Sequence, residues 1–206
     1  MKTRDRILHT SLQLFNEHGE PNVTTLQIAD ELDISPGNLY YHFKNKSEII
    51  DELFASFESH INTLLDVPED IAGIDDQWLF LHLVFEAIGQ YRFIYQDLVN
   101  ILSRYDKIQP RFKRVLNRKL SASRSVCQSL ARQGILLANA DELEALCQNI
   151  VLTITYWISF DKVKNVLNGQ EMDVGRGVYQ VLAQIAPFLR EEERRQLQAM
   201  GEAYIG

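Results

Sequence analysis

The chain has 206 residues, of which 46% are hydrophobic and 24% are charged, enough for one large domain or for a small module fused to an ordinary domain. Its formal net charge of −7 argues against nucleic-acid binding over the whole surface but leaves room for a local basic patch. No apolar run approaches the roughly 20 residues of a membrane-spanning helix, so no membrane association is expected.

Helical periodicity begins close to the N-terminus. Apolar residues recur at helical spacing from Ile7, and Gly19 follows them as a stop signal, which predicts a first helix over residues 3–18. Thr24 is followed three residues later by Gln27, a capping-box pattern that opens a short second helix.

Two further helix starts follow within 20 residues. Ser35 stands at an N-cap position before a proline at the first helical position, which predicts a short third helix over Pro36–Phe43. Asn45 with Glu48 repeats the capping signal and opens a longer fourth helix. The first three helices have the lengths of a packing helix and a helix-turn-helix pair.

The rest of the chain is predicted to be helical as well. Residues 65–76 contain Pro68 and Gly73, break the periodicity and are the candidate linker. No stretch shows sustained β alternation, so the fold class is all-α with about nine to ten helices. The later helices are expected at 76–90, 92–104, 109–134, 141–164, 174–189 and 191–202. The predicted divisions are a helix-turn-helix domain at 1–46, a connecting helix at 47–64 and a larger helical effector-binding and dimerisation domain at 65–206.

The two short helices and the packing helix before them predict a tri-helical DNA-binding unit. Ala29 is small enough to let the second and third helices cross closely. Two adjacent outward-facing tyrosines are unusual on an inert surface, whereas their rings can contact thymine methyls and their hydroxyls can bond to phosphates or base edges. The alternative, that the tyrosines complete the small core, fits one of them better than both. The residues expected to face outward are Pro36, Gly37, Asn38, Tyr40, Tyr41 and His42.

The segment Thr24–Lys46 resembles the signature of the tetracycline-repressor (TetR) family, and the resemblance is close from Ile7 to Phe54. It implies a DNA-binding regulator, and Leu26 departs from the polar residue often found at its position. Gly37 would let the helix backbone approach the groove. By position, the residues that the resemblance assigns to phosphates are Thr25, Tyr40, His42 and Lys46. Those that it assigns to bases are Pro36, Gly37 and Tyr41.

Family members typically bind palindromic operators as dimers, so the resemblance also implies a homodimer. The helix at 141–164 is apolar nearly all round and must be covered on more than one side, and a partner subunit is favoured over a monomer for its second face. The helix at 174–189 is expected to share that interface, with Gly175 and Gly177 permitting close helix approach. The second face of the first of these helices offers Val151, Leu152, Thr155, Tyr156 and Phe160.

The resemblance implies a ligand cavity among the central helices. The sequence is rich in aromatic residues there, although an aromatic stripe at helical spacing is by default core, and a buried histidine is by default a satisfied core residue. An apolar or aromatic small molecule with one polar handle is expected. The candidate ligand-binding residues are His82, Phe85, Tyr95, Arg104, Phe112 and Trp157.

A basic run over residues 104–124 has two interpretations. It could form a second nucleic-acid surface, but helical spacing scatters its charges around a long helix. A solvated face, opposed by the acidic residues of 142–144, is favoured.

Cys127 and Cys147 fit no metal-ligand spacing and lie in apolar helical patterns, so they are expected to be buried thiols in a reducing cytoplasm. No export signal is visible. No phosphate loop, metal-binding or catalytic motif occurs, so neither an enzyme nor a cofactor or metal is expected. The predicted function is a repressor that a small effector releases from its operator; the alternative is a DNA-binding dimer whose larger domain only dimerises or recruits a protein.

Overall fold

A computed structural model describes residues 2–66, 74–165 and 174–205, and α-helices dominate this part of the chain. No strand occurs within the described residues; an isolated backbone bridge joins Leu136 and Leu189. Two 3-10 turns, Glu20–Asn22 and Ala186–Phe188, follow α1 and α10. The α-helices are α1 Thr3–His18, α2 Thr25–Glu31, α3 Pro36–His42, α4 Lys46–Leu64, α5 Ile74–Gln90, α6 Arg92–Gln96, α7 Leu98–Arg104, α8 Ile108–Arg132, α9 Ala140–Asn165, α10 Val174–Ile185 and α11 Glu191–Ile205. The all-α prediction is confirmed.

The predicted caps form at the starts of α2, α3 and α4. The N–H of Gln27 donates to Thr24 Oγ1 at 3.2 Å, and the N–H of Thr24 donates to Gln27 Oε1 at 2.8 Å, which completes the capping box. The side chains of Ser35 and Asn45 each accept from the N–H three residues later, at 3.2 and 3.0 Å. Local chemistry therefore sets these three helix starts.

The number of helices exceeds the expected nine to ten because the helix predicted at 92–104 is two helices. At Asp97 the backbone leaves the helical region (φ −136°, ψ 41°), and the side chain of Asp97 accepts from Asn100 Nδ2 at 2.6 Å. The three consecutive residues Phe93, Ile94 and Tyr95 are all buried. A straight helix at a domain surface buries only one stripe, so α6 turns away into the core and α7 starts afresh.

The other boundaries shift by a few residues. The helix predicted at 174–189 ends at Ile185 and continues as the 3-10 turn that contains Pro187, which lacks an N–H to extend the α-helical ladder. Helix α5 begins at Ile74, two residues inside the predicted linker at 65–76. Residues 67–73 of that linker lie outside the described residues.

A small core holds α1, α2 and α3 together. Ile7, Ile28, Leu39 and Phe43 are almost completely buried there. The turn between α2 and α3 is tight because the backbone of Asp33 adopts a left-handed conformation (φ 53°). Among residues other than glycine, asparagine and aspartate adopt this conformation most readily. This unit presents α3 on its outer surface.

The larger domain is built from α5 to α11, where α9 packs on both α8 and α10, and α10 also packs on α5. Gly177 allows the last contact: a Cβ there would lie 2.5 Å from Phe85 Cε1 and 2.7 Å from Trp157 Cδ1. Helix α4 leaves the N-terminal unit and packs on both α5 and α8. Together with the packing of α1 on α6, it joins the two parts of the molecule.

Candidate nucleic-acid interface and inner cavity

The exposed face of α3 carries the two adjacent tyrosines. Tyr41 is 85% exposed and Tyr40 is 44% exposed, whereas Leu39, the preceding residue of α3, is buried. The ring of His42 stands edge-on to the ring of Tyr41, with centroids 5.1 Å apart. The expectation that both tyrosines face outward is confirmed, and His42 limits the orientations open to Tyr41.

Two shallow depressions flank α3. In the first, the hydroxyls of Thr25 and Tyr40 are 2.9 Å apart, which fixes the position of the Tyr40 ring. Lys44 is exposed beside them, a residue that the sequence-based site did not include. Two hydroxyls and an ammonium group within one depression suit a phosphate group. The lining of this depression is Pro21, Val23, Thr24, Thr25, Tyr40, Lys44, Asn45 and Lys46.

The second depression lies between α2 and the start of α3. Leu26 is 57% exposed and shares the depression with Pro36, so an apolar surface adjoins the tyrosine face. Gly37 and Asn38 are exposed, and a Cβ at Gly37 would meet only Ser35 Oγ, at 3.9 Å. The open surface at Gly37 leaves the backbone of α3 accessible.

Lys46 differs from the other predicted DNA contacts because its side chain is held from inside the protein. Its Nζ lies 2.6 Å from the carboxylate of Glu20, which is 2% exposed. The same carboxylate accepts from Arg104 Nη1 at 2.9 Å and from the Tyr105 hydroxyl at 2.5 Å. Burial, together with the bond to Glu20, raises the pKa of Tyr105. Arg104, predicted to bind ligand, therefore belongs to a cluster that ties α4 and α7 to the turn after α1.

A second polar contact joins the N-terminal unit to the larger domain. Asn16 on α1 is buried; its Nδ2 donates to the carbonyl of Gln90 at 2.8 Å and its Oδ1 accepts from the N–H of Phe93 at 3.0 Å. The Asn16 and Glu20 contacts fix α1 against the α5–α7 region. Sequence reasoning missed both, since their partners are more than 70 positions away along the chain.

A cavity of about 50 Å³ lies between the end of α4 and helices α5, α8, α9, α10 and α11. Aliphatic side chains form most of its wall, and Phe80 supplies an aromatic one. Its lining residues are Leu65, Gln77, Phe80, Leu81, Val84, Lys119, Ala122, Ser123, Val126, Cys127, Leu130, Ile150, Ile154, Val181, Leu182, Ile185, Leu189 and Leu197.

Lys119 is the charged residue of this lining, and it is 3% exposed. Its Nζ donates to the hydroxyl of Tyr95 at 2.9 Å and lies 4.8 Å from the centre of the Tyr95 ring. Among the described residues, no carboxylate forms an ion pair with it. Burial lowers the pKa of Lys119 to about 7, since no opposite charge offsets the lost hydration.

None of the six residues predicted to bind ligand lines this cavity. Tyr95 and Phe112 lie behind Lys119, with ring centroids 5.8 Å apart. Phe85 and Trp157 pack against Gly177, while His82 lies 3.3 Å from the carboxylate of Glu86 and is partly exposed. Choosing candidates by their aromatic side chains therefore selected residues of the core around the cavity, not residues of its lining. The sequence feature that could have predicted the lining is a stripe on α8, where a lysine interrupts an otherwise small or apolar helical face. This stripe consists of residues 119, 122, 123, 126, 127 and 130.

The basic run of α7 and α8 faces acidic residues. Arg111 and Arg114 both contact Glu58 on α4, at 2.7 and 3.7 Å. Arg124 makes a two-pronged pair with Glu144 at 2.6 and 2.8 Å, as the opposing-charge interpretation predicted, and this pair lowers the pKa of Glu144 to about 2. These pairs neutralise much of the run and favour the solvated face over a second nucleic-acid surface.

Helix α9 leaves an apolar stripe uncovered. Leu152, Tyr156, Phe160 and Val163 are between 44% and 77% exposed and follow one another at helical spacing. Two of the five residues predicted for this second face, Val151 and Thr155, are buried within the subunit instead.

Cys127 and Cys147 are free, buried thiols, as expected. In the described part of the chain, no cluster of three or more His, Cys, Asp or Glu side chains is placed to hold a metal ion. None of the helices described there is long and apolar enough to cross a membrane.

Comparison with known proteins covers both parts of the chain. A family model of bacterial regulatory proteins, tetR family, matches residues 7–53, and a model of a bacterial transcriptional repressor matches residues 56–197. The transcriptional repressor KstR2 of Mycobacterium tuberculosis is 31% identical over 143 residues, and the transcriptional regulator AcrR of Shigella flexneri is 25% identical over 143 residues. The matches cover 64% and 58% of this chain, and the chain spans 66% of the length of each relative.

A solved structure agrees over nearly the full length. The crystal structure of a TetR-family transcriptional regulator from Marinobacter aquaeolei superimposes with a TM-score of 0.88 at 40% sequence identity, covering 99% of both chains.

Proposed function

The chain belongs to the tetR family of bacterial transcriptional regulators, and on that premise we propose that it binds a palindromic operator as a homodimer and releases it when a small apolar molecule fills the inner cavity. Regulators of this family bind DNA, are generally repressors and are not enzymes. We propose repression here too, in the cytoplasm. The observation that carries the DNA-binding part is the exposed Tyr41 on a short helix that a small rigid core holds in place.

Bases and phosphates would be contacted by different faces of the unit. Tyr41, Gly37 and Leu26 form a largely apolar surface suited to thymine methyls in the major groove. Thr25 and Tyr40, with Lys44 beside them, would bind a backbone phosphate. With few base-specific hydrogen bonds available, DNA shape would contribute to specificity.

Selection of genomic DNA fragments by the purified protein, followed by binding curves at several salt concentrations, tests this division. Tyr41→Ala should reduce the preference for the selected operator over random DNA by about tenfold or more, the loss of one base contact. Lys44→Gln should weaken binding to all DNA and flatten the salt dependence by about one counterion. Lys113→Gln, an exposed lysine on α8, is the matched control.

Lys46 is a poor choice for that experiment because its ammonium group pairs with buried Glu20. Removing Lys46 would disturb the attachment of α4 as well as any phosphate contact. A selection that enriches no sequence, with a folded protein at moderate salt, would contradict operator recognition.

The apolar stripe of α9 is the proposed dimer interface, and the adjoining face of α10 would contribute. Four large apolar side chains at helical spacing are too continuous to be scattered surface hydrophobics. A second copy of the chain suits this stripe because a two-fold axis would place it against itself and set two α3 helices at the spacing of successive major grooves, roughly 34 Å.

Sedimentation analysis of two matched variants tests the interface. Phe160→Glu on the stripe should convert dimers to monomers and abolish cooperative binding to a palindrome. Val99→Glu, at an apolar residue of α7 that is even more exposed than Phe160, should leave the dimer intact. Wild-type protein that sediments as a monomer at micromolar concentration would contradict the proposal.

Helix α4 offers a direct route from cavity to DNA. Leu65, at its C-terminal end, lines the cavity, and Lys46, at its N-terminal end, contacts Glu20 within the DNA-binding unit. The two ends are roughly 28 Å apart at 1.5 Å per residue. A ligand that displaces Leu65 would tilt α4 and change the distance between the two α3 helices. Operator affinity unchanged by a ligand that binds tightly would contradict this coupling.

The alternative, a DNA-binding dimer that senses no small molecule, differs only in the use of the cavity. A thermal-shift screen with apolar compounds distinguishes the two, because a ligand of the folded form raises the Tm. The buried, incompletely bonded polar groups of the cavity favour the sensing function.

A further inference from the structure

Resting on the proposed role of the cavity as an effector site, we propose that its ligand is an aliphatic monocarboxylic acid whose carboxylate binds Lys119 and Gln77 and whose chain lies along α8 toward Leu130. The acid would supply a negative charge that none of the described residues places beside the Lys119 ammonium group.

Lys119 and Gln77 bring nitrogen donors to the largely apolar lining of the cavity. An ammonium group has three N–H donors, and the Tyr95 hydroxyl accepts one of those of Lys119. Gln77 is 5% exposed, and its Nε2 has no hydrogen-bond partner among the described residues. Both residues line the same cavity. Unpaired buried donors are costly, and here both residues belong to the lining of one cavity.

The charge expected of the ligand follows from the kind of polar groups that lack hydrogen-bond partners. The ammonium of Lys119 and the amide N–H₂ of Gln77 both donate, so the matching group is an acceptor and preferably an anion. A cationic ligand would be repelled by charged Lys119, and a neutral alcohol would offer one oxygen where a carboxylate offers two.

The shape of the ligand follows from the α8 stripe. Lys119 stands at the end near the C-terminus of α4, since its neighbour Arg118 pairs with Asp66. From there the lining passes through Ala122 and Val126 to Leu130, about 16 Å further along the helix. The walls on α9, α10 and α11 are Leu, Ile and Val side chains, which suit a flexible aliphatic chain better than a flat ring system.

Titration calorimetry on the full-length protein, with decanoate, 1-decanol and decylamine below their micelle-forming concentrations, tests the proposal. Decanoate should bind about 10- to 100-fold more tightly than 1-decanol, because hydrogen bonds to a charged group typically raise affinity by such a factor. Decylamine should not bind measurably. Hexanoate should bind more weakly than decanoate by roughly fourfold for each methylene lost from the apolar wall.

Two variants locate the head group. Lys119→Met, close to lysine in size, should lose the preference for decanoate over 1-decanol, and Lys119→Gln serves as a second replacement if the first misfolds. Gln77→Leu should weaken decanoate binding several-fold. Lys113→Met, an exposed lysine on the same helix, should bind decanoate as the wild type does.

Three results would overturn the proposal: equal affinity for decanoate and 1-decanol, full decanoate affinity in both Lys119 variants, or no binding of any acid from hexanoate to tetradecanoate. Operator release is measured separately with the selected DNA. If decanoate binds at Lys119 but does not release DNA, the ligand assignment stands and the proposed effector mechanism fails. If another compound releases DNA and no acid binds, the mechanism stands and the ligand assignment fails.

Discussion

The DNA-binding unit and the larger domain each contain a lysine with little exposure, Lys46 and Lys119. Among the described residues, only Lys46 has a carboxylate beside it. Lys46 contacts Glu20 at 2.6 Å, and Arg104 and Tyr105 complete that cluster. Lys119 has a tyrosine hydroxyl as its partner. A buried charge with its counterion holds two parts of the structure together, whereas one without a counterion lowers stability and is available to a ligand.

The two regions also differ in the surroundings of their glycines. Gly37 faces open space on α3, while Gly177 touches two aromatic rings of the larger domain. Small size therefore serves access from outside at one position and close helix packing at the other.

The largest expected effect comes from removing the counterion of the Glu20 cluster. Glu20→Gln leaves Lys46 and Arg104 without their carboxylate and should lower the free energy of unfolding by about 3 kcal/mol, the lower end for a broken buried pair because Arg104 is half-exposed. Urea denaturation measures the change. Glu17→Gln on the exposed side of α1 is the control, and equal stability of the two variants would refute the structural role of the cluster.

The second effect concerns Lys119 and pH. Its pKa is about 7 in the folded protein and 10.5 in a free side chain, so from pH 7 to 10.5 the unfolded chain binds the extra proton and wild-type stability rises with pH. Lys119→Met should be more stable than wild type at pH 7, and its advantage should shrink by at most about 1.4 kcal/mol per pH unit above that.

Denaturation of both proteins from pH 7 to 9 checks this dependence. Burial raises the pKa of Tyr95, so its hydroxyl stays neutral in this range, and titration of the Cys127–Cys147 pair cancels in the difference. A stability difference that does not change with pH would show that Lys119 keeps its proton when folded.

The third effect compares the two glycines. Gly177→Ala should lower the free energy of unfolding by about 1–2 kcal/mol, because the new methyl overlaps the rings of Phe85 and Trp157. Gly37→Ala should raise it by up to about 1 kcal/mol through helix propensity, while weakening operator binding. Thermal unfolding and operator titration of both variants give the test; a stability loss at Gly37 would contradict its open environment.

The smallest effect is expected at the Arg124–Glu144 pair, which is exposed to solvent. Arg124→Gln should change the Tm slightly at low salt and not at all at 1 M salt, where screening removes the interaction. A salt-independent loss of stability would show instead that the arginine stem packs α8 against α9.

The N-terminal unit could be predicted from sequence almost residue by residue. Its helix starts are set by capping contacts between residues three positions apart, and its core is set by short-range apolar periodicity. The residues that do not join this core form its exposed face. The capping box at Thr24 and the exposure of Tyr41 needed no distant contact.

The cavity and the attachment of the two domains could not be predicted in that way. Lys119 belongs to a run of basic residues, and only the packing of α8 turns this one inward while Arg111 and Arg118 reach acidic partners. The predicted ligand residues failed to mark the lining because aromatic side chains fill a core as well as they line a cavity.

The sequence by itself determined the all-helical class, the DNA-binding unit and its exposed surface, since these follow from interactions within a few residues. The tertiary structure decided which lysine is buried, where the cavity lies and which face of α9 stays uncovered. Those properties depend on the relative rotation of helices that are distant along the chain, and helical periodicity fixes the apolar faces of a helix but not the neighbour that covers each one.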